Sequence, residues 1–423
     1  MSFRPARAAK LGLFVLLAQI LLGLPVGPIS VASAKGDPSI GKTGLVLPTL
    51  GERLGLSDKG AAEPTFQSPD PQQETGPELP DGTYRLPPNY VENPDYEAPP
   101  ASGGKSYTAK KDERTSKKKG GGVTPLLAVG GSISSNTTWA LADSPIEITS
   151  NVTVSSPATL TIEPGVVVKA DAGTSLTILD GATLTANGTT AAPITFTSIK
   201  DDSVGGDLNG DGNATTPAAG DWDAVYIAGY KDGSNVVHPA FGSFTNVVMR
   251  YGQKLSVRYS RPSMSYVTVA KMSSTNGGLY FDSPANTTTT WDHLTLTDNN
   301  VNLNLYAVPS LITITNSVFR GATGLYAIEA QASSAAKITN SAIDHNGGTS
   351  TFSAAVKSYS SAITLQYDSI AFNRRTDGSD WGVDSSGATV AATSNWWGAT
   401  SGPEVSGQSA TGGGSKITTS PAN

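Results

Sequence analysis

Leu160-Thr-Ile-Glu-Pro-Gly-Val-Val-Val-Lys-Ala170, set above Leu176-Thr-Ile-Leu-Asp-Gly-Ala-Thr-Leu-Thr-Ala186, decides the fold. The two stretches lie sixteen residues apart, with Leu160 over Leu176, Ile162 over Ile178, Gly165 over Gly181 and Ala170 over Ala186. In each, apolar residues alternate with polar ones, a glycine permits a sharp corner, and alternation resumes. Short strands joined by tight corners and repeated in this way imply stacked coils.

A longer repeat carries the pattern toward the C-terminus. Trp291-Asp-His293-Leu-Thr-Leu296, Ile314-Thr-Asn316-Ser-Val-Phe319, Ile338-Thr-Asn340-Ser-Ala-Ile343 and Leu365-Gln-Tyr367-Asp-Ser-Ile370 align on their third and sixth positions, at lags of 23, 24 and 27. One such unit holds two or three short strands and as many corners, which is one coil of a solenoid. A hairpin sandwich would show turn pairs roughly every 8–12 residues without this register. Each coil hides its Leu, Ile, Val and Phe only by stacking on its neighbours. At roughly 24 residues per coil, residues 131–423 give about a dozen coils, spaced about 4.8 Å apart. Asn246, Asn316, Asn340 and Asn395 each precede an apolar pair. They are expected to turn inward at a corner and hydrogen-bond their counterparts one coil away.

The composition agrees with an all-β chain. Only 15% of the 423 residues are charged, Gly and Pro together number 73 (46 and 27), and long Ala/Leu/Glu/Lys stretches are missing. The absence of cysteine excludes a disulfide scaffold, thiolate metal sites and a cysteine nucleophile. Arg4, Arg7 and Lys10, the apolar run Leu11 to Leu24, and Ala32-Ser33-Ala34 before Lys35 match a secretory signal peptide over residues 1–34. The competing reading, an uncleaved anchor, is opposed by Pro25 and Pro28, which end the run early. No second stretch of spanning length follows, so no membrane span is expected after cleavage. Residues 35–130, with Pro-Asp-Pro at 69–71 and Pro pairs at 87–88 and 99–100, read as a disordered linker rich in Pro, Gly and charge. Its acidic residues, among them Glu92, Asp95 and Glu97, precede a basic cluster from Lys105 to Lys119. Residues 131–423 hold 14 Lys and Arg against 22 Asp and Glu, a net of −8, which repels nucleic acid and suits cations.

Residues from Ser132 onward resemble the right-handed parallel β-helix proteins of the pectin-lyase-like superfamily, and within it a bacterial secreted subset. The motifs are Asn136-Thr-Thr-Trp139, Asn151-Val-Thr-Val154, Leu160 to Lys169, Pro193-Ile-Thr-Phe-Thr-Ser198, Lys200 to Asn213, Gly220-Asp-Trp222, Ser394-Asn-Trp-Trp-Gly398 and Ser401-Gly-Pro403. Asp223-Ala224 stands where that subset commonly has Gly-Gly. The resemblance implies a secreted or surface-exposed β-helix. Related folds include lyases, glycoside hydrolases, tailspikes and adhesins, so fold alone does not choose a function.

The chemistry of the enzymes on this fold needs clustered carboxylates or acidic calcium ligands beside a basic residue. Asp201-Asp202 is the one adjacent Asp pair, and His238, His293 and His345 lack a Gly-flanked setting. Arg250, Arg258, Arg261 and Arg320 have no acidic partner in their local sequence. The strongest local signal is Asp207-x-Asn209-x-Asp211-Gly-Asn213, hard oxygen donors at alternate positions on a glycine-rich loop, as Ca²⁺ requires. The twelfth position of an EF-hand loop would be Glu, and Ala218 stands there, with Asp201, Asp202, Asp221 and Asp223 as substitutes. Two readings therefore stand side by side, a loop folded around one structural Ca²⁺ and a metal-free Asp/Asn/Gly turn. Trp396-Trp397 reads as an end cap or a sugar platform, and Tyr226, Tyr230, Tyr251, Tyr259 and Tyr266 as further sugar-stacking candidates. No amphipathic barrel strands or hydrophobic sorting tail mark the C-terminal region, so a released protein is expected. The expectation is a secreted or cell-surface, non-enzymatic β-helix with no catalytic residues, presenting a rigid face for adhesion or for binding a polysaccharide or cell-surface glycan. The alternative is a calcium-dependent polysaccharide lyase or other carbohydrate-active enzyme.

Overall fold

The computed structural model describes residues 84–85, 127–285, 287–347, 352–387, 390–405 and 414–417. The signal segment, and the linker except Tyr84–Arg85 and residues 127–130, lie outside them. By contacts the chain divides into Met1–Leu47 and Pro48–Asn423, and all the described residues fall in the second unit. No described helix is long and apolar enough to cross a membrane.

Every ladder of the large sheet is parallel, and the chain winds as a right-handed parallel β-helix with three sheets. The first sheet stacks ten strands: Thr137–Trp139, Thr159–Ile162, Thr183–Asn187, the starts of Phe241–Arg250 and Ser263–Ala270, then Thr289–Asp292, Ile312–Thr315, Ala335–Thr339, Ala362–Gln366 and Val390–Thr393. The second runs from the start of Leu127–Ile133 to Ser369–Ala371, with Trp396 bridging beyond it. The third runs from the end of Leu127–Ile133 to Trp381–Ser386, onto which the short strand Gly414–Ile417 adds in parallel. Ten rungs replace the expected dozen, because an insertion over residues 199–221, a hairpin over 229–240 and the C-terminal segment use chain without adding coils. The first strand begins at Leu127, four residues before the composition changes. Within the linker, Tyr84–Arg85 pairs antiparallel with Val236–Val237 and so extends the hairpin by one strand.

The long repeat is the coil register itself. Trp291 stands opposite Ile314, Ile314 opposite Ile338 and Ile338 opposite Leu365. These are the lags of 23, 24 and 27 read from the sequence. The sixteen-residue lag is different. Leu160 stands opposite Leu184 and Leu176 opposite Val152, so the two copies lie on different sheets. What they share is a strand, a corner with a glycine at positive φ (85° at Gly165, 67° at Gly181) and a second strand.

Inside, alternate residues of all three sheets form one apolar column that includes Trp139, Val152, Leu184, Phe244, Phe281, Trp291, Phe319 and Val356. Fully burying a large apolar side chain is worth roughly 1.5–3 kcal/mol, so the stack is held mainly by this column. Phe281 and Trp291 meet edge to face at 4.8 Å, and Trp291 Nε1 donates to Pro262 O at 3.0 Å. Gly252 lets Trp222 lie against the backbone, since a Cβ there would come within 2.7 Å of the indole.

The expected amide ladder exists one residue away from the predicted asparagines. Asn246, Asn316 and Asn340 sit at the corner between the first and second sheets with φ of 48°, 51° and 53°. The same column holds Tyr266, His293, Tyr367 and Ser394, also at positive φ. A left-handed residue at the corner leans outward, and its successor turns in. The inward file is Ser317, Ser341, Asp368 and Asn395, of which Asn395 alone was expected. Leu294 N–H donates to Ser317 Oγ, Ser317 N–H to Ser341 Oγ, Ser341 N–H to Asp368 Oδ1 and Asp368 N–H to Asn395 Oδ1, all at 2.8–3.1 Å. A second ladder lines the corner between the second and third sheets. There Met272 N–H donates to Asn299 Oδ1, Ala322 N–H to Asn346 Oδ1 and Asn346 N–H to Asn373 Oδ1. Nδ2 of Asn299, Asn346 and Asn373 each donates to a carbonyl of the previous coil. Where Ala322 interrupts this file, Asn302 reaches across, accepting from Asn299 and donating to Asn346.

Replacing Asn346 with Ala strands the N–H of Ala322 and the C=O of Phe319. Each loss of a buried partner costs about 1–3 kcal/mol, so urea unfolding should show a loss of roughly 2–5 kcal/mol. Asp368 is a buried carboxylate in an otherwise neutral ladder, and burial raises its pKa well above the ordinary value against two backbone N–H donors. The folded state thus holds this proton to higher pH than the unfolded state, and stability falls as pH rises from about 4, the unfolded value. Asp368→Asn should remove that slope, raising the melting temperature by about 2 °C or more at pH 8 and by nothing near pH 4.

Candidate functional site

The three sheets present three different outer faces. On the second sheet, the insertion over residues 199–221 lies across the early coils and is bolted down by charge. Lys169, fully buried beneath it, donates to Gly206 O. Burial pulls the Lys169 ammonium below its usual pKa, although Asp202, Asp201 and Asp207 favour its charged form. Arg250 bonds Asp201 through Nε at 2.8 Å and Nη2 at 2.7 Å. Against the opposing effect of burial, Ser203, Thr197 and Arg250 hold Asp201 below the usual carboxylate range. Asp221 accepts from Lys200 at 2.7 Å and from Ser198 at 2.8 Å.

The acidic motif sits at the tip of this insertion. Asp207 accepts backbone N–H bonds from Gly210, Asp211 and Gly212 at 2.7–3.1 Å. Asp211 accepts from the N–H groups of Ala214 and Thr215, from Thr215 Oγ1 and from Asn209 Nδ2. Carboxylate oxygens of Asp202, Asp207 and Asp211 all lie within 4.8 Å of one another. Of the four predicted ligands, Asp207 and Asp211 are brought together, and Asp202, a predicted substitute, joins them. Asn209 turns its amide nitrogen toward Asp211, and Asn213 takes a left-handed φ of 74°. Burial and the neighbouring Asp207 and Asp211 charges push the Asp202 carboxyl up. Asp202 Oδ1 is shielded and has no hydrogen-bond partner among the described residues. Three like charges around one point, one of them held up in pKa, form a donor set that fits a hard divalent cation. Asp201 and Asp221 are spent on Arg250 and Lys200, and Asp223 accepts from Tyr226.

Beside Arg250, two more of the arginines find acidic partners along the stack, while Arg261 donates to the carbonyls of Ser283 and Ala285. Arg320 holds Asp344 at 2.5 and 2.8 Å, and Arg258 approaches Asp282 at 3.5 Å. Sequence alone missed these because each pair joins neighbouring strands 24 residues apart. His293 and His345 are corner residues beside Asp292 and Asp344, and His238 lies beside Asp232. Trp397 closes the apolar column and Trp396 continues the second sheet, as an end cap does. Of the tyrosines, Tyr226 and Tyr259 are buried, whereas Tyr230 and Tyr266 are exposed.

The first sheet is open along its length. Its outward file reads Thr138, Thr161, Thr185, Ser243 and Ser263, then Thr313, Lys337, Thr364 and Ala391. A parallel file two residues on reads Asn187, Thr245, Ser265, Asp292, Thr315, Thr339, Gln366 and Thr393. Neighbouring hydroxyls touch, Ser263 with Ser243 at 3.2 Å and Ser265 with Thr245 at 3.3 Å. Tyr266 and His293 stack at 4.4 Å on the adjoining corner. Period-two Thr spacing carried this signal in the sequence, but only the coil register shows that the hydroxyls line up.

Comparison with known proteins bears on the fold. No curated protein and no solved structure matches the chain. Residues 131–253 match the model of the pectate-lyase-like β-helix domain family. They cover the first coils, the acidic insertion and the hairpin, and the same winding continues through ten rungs. The described solenoid is a parallel β-helix, and it is its first part, residues 131–253, that is similar to the pectate-lyase-like β-helix domain.

Proposed function

We propose that this protein is a secreted or surface-exposed β-helix that binds an extended polysaccharide along the first sheet without cleaving it. The observation that carries the reading is the paired file of hydroxyl and amide side chains, repeating at about 4.8 Å per coil beside an exposed aromatic pair. A linear glycan presents hydroxyls along one edge and apolar ring faces to stacking residues, so a long, lightly charged, rigid strip with Tyr266 at its rim matches it in both respects. Binding of pectin, alginate and glycosaminoglycan chains should weaken at least about tenfold in Tyr266→Ala and in Thr313→Glu, with unchanged circular dichroism. Equal binding by both variants and the parent would reject this face.

The family description favours a second reading, a polysaccharide lyase. Release of unsaturated uronate product on incubation with the same polymers, followed by ultraviolet absorbance, would establish it and end the non-enzymatic reading.

We further propose that the insertion takes one structural Ca²⁺ at Asp202, Asp207 and Asp211. A cation there offsets the desolvation, and then the Asp207 and Asp211 charges, that raise the Asp202 pKa, so affinity should rise with pH as Asp202 loses its proton. At a free concentration about 100 times Kd, such binding adds about 2.7 kcal/mol to stability. The melting temperature should therefore rise with added Ca²⁺ and fall with chelator, and Asp202→Asn should blunt both responses. No response in the parent protein, together with no heat of binding, would leave the metal-free turn.

A further inference from the structure

From Thr153 to Asn304 the outward face of the third sheet is buried where the corresponding face of the first sheet is open. Its central file runs Thr153, Thr177, Tyr226, Ser256, Tyr280, Asn304, Glu329, Lys357 and Asp384, one residue per coil. Thr177, Tyr226, Ser256, Tyr280 and Asn304 are only 1–3% exposed. No residue of the first sheet's outward files falls in the buried class. Flat parallel sheets do not hide their outer side chains by themselves. On the second sheet the early coils are hidden because the insertion lies on them. Thr177 Oγ1, Ser256 Oγ and Asn304 Oδ1 point out from the third sheet, are shielded from solvent, and have no hydrogen-bond partner among the described residues.

We infer that the chain's own segment 86–126 docks lengthwise on this face. Two anchors at its ends favour this occupant. Tyr84–Arg85 is paired onto Val236–Val237, in the hairpin that directly follows the third-sheet strand Trp222–Ala228. Leu127 opens the first strand of the solenoid. The 41 residues between Arg85 and Leu127 must return from the fourth rung to the first. At roughly 3.3 Å per extended residue they reach far beyond the roughly 40 Å that nine coils occupy. Tethering at both ends makes docking intramolecular and raises the local concentration of the segment. Its Pro pairs at 87–88 and 99–100 favour an extended backbone, whose N–H groups suit the waiting oxygens of Thr177, Ser256 and Asn304. The charges also match. Glu92, Asp95 and Glu97 follow the staple, and Lys254 lies on this face near it, beside an Arg258 that already approaches Asp282 at 3.5 Å.

The natural chain has no cysteine, which permits a direct test. Single variants Ser256→Cys, on the covered face, and Thr313→Cys, on the open first sheet, are labelled with a maleimide in the full-length chain. The expected result is labelling at least about tenfold slower at position 256 than at 313. Replacing 86–126 by a Gly/Ser segment of equal length should bring the two rates together, with circular dichroism confirming an intact solenoid. Equal rates in the full chain would overturn the inference. So would protection that survives the Gly/Ser replacement, that grows with protein concentration as a second copy would cause, or that appears only with added polysaccharide.

Discussion

The structure depends on one constraint, that each coil must repeat the last in register so that backbone and corner side chains donate to the next coil. A strand of three to five residues is too short to be stable alone, and here it is fixed by neighbours above and below. The corners are where such a stack is weakest, because a residue at positive φ costs energy unless it is Gly or Asn. This protein places Tyr, His, Lys and Ser there as well. The inward ladders of Ser, Asp and Asn offset that strain by satisfying the backbone N–H groups that the turn leaves without partners in the strands. A shift of one residue would turn the apolar column outward and break both ladders together, so register is defended twice.

With the interior so constrained, the differences lie on the outside. The second sheet accepts a long insertion over its early coils and anchors it with a buried lysine and an arginine on Asp201. The third sheet keeps an outer file that is buried from Thr153 to Asn304, and beyond it Lys357, also buried, pairs with the partly exposed Asp384 at 2.8 Å. The first sheet stays open, regular and nearly uncharged. Among the described residues, the first sheet is the face on which a periodic row of polar side chains runs open over many coils.

The acidic excess has a more local meaning than a net charge suggests. Many carboxylates are spent on stacking pairs, Arg320 with Asp344 and Lys357 with Asp384, or on the loop's own backbone, as with Asp207 and Asp211. What is left as a concentrated negative charge is the meeting of Asp202 with those two. That is a small donor set on a stapled loop, suited to holding an ion in place more than to moving a proton.

The sequence by itself determined the winding. Alternating apolar residues, glycine corners and the 23, 24 and 27 spacings from Trp291 to Leu365 are local and periodic, and periodicity survives translation into structure. It placed the ladder one position off, since an outward Asn316 and an inward Ser317 differ only in the sign of φ at the corner, which no composition reveals. It also read the sixteen-residue echo of Leu160 and Leu176 without showing that they sit on different sheets. Only the tertiary structure decided which outer face is open, which oxygens of the acidic loop converge, and which arginine meets which aspartate. The arginine pairs join residues about one coil or more apart in the chain, at a distance the insertion and hairpin make irregular. Asp202, Asp207 and Asp211, by contrast, are near in sequence and converge only through the turns of their loop.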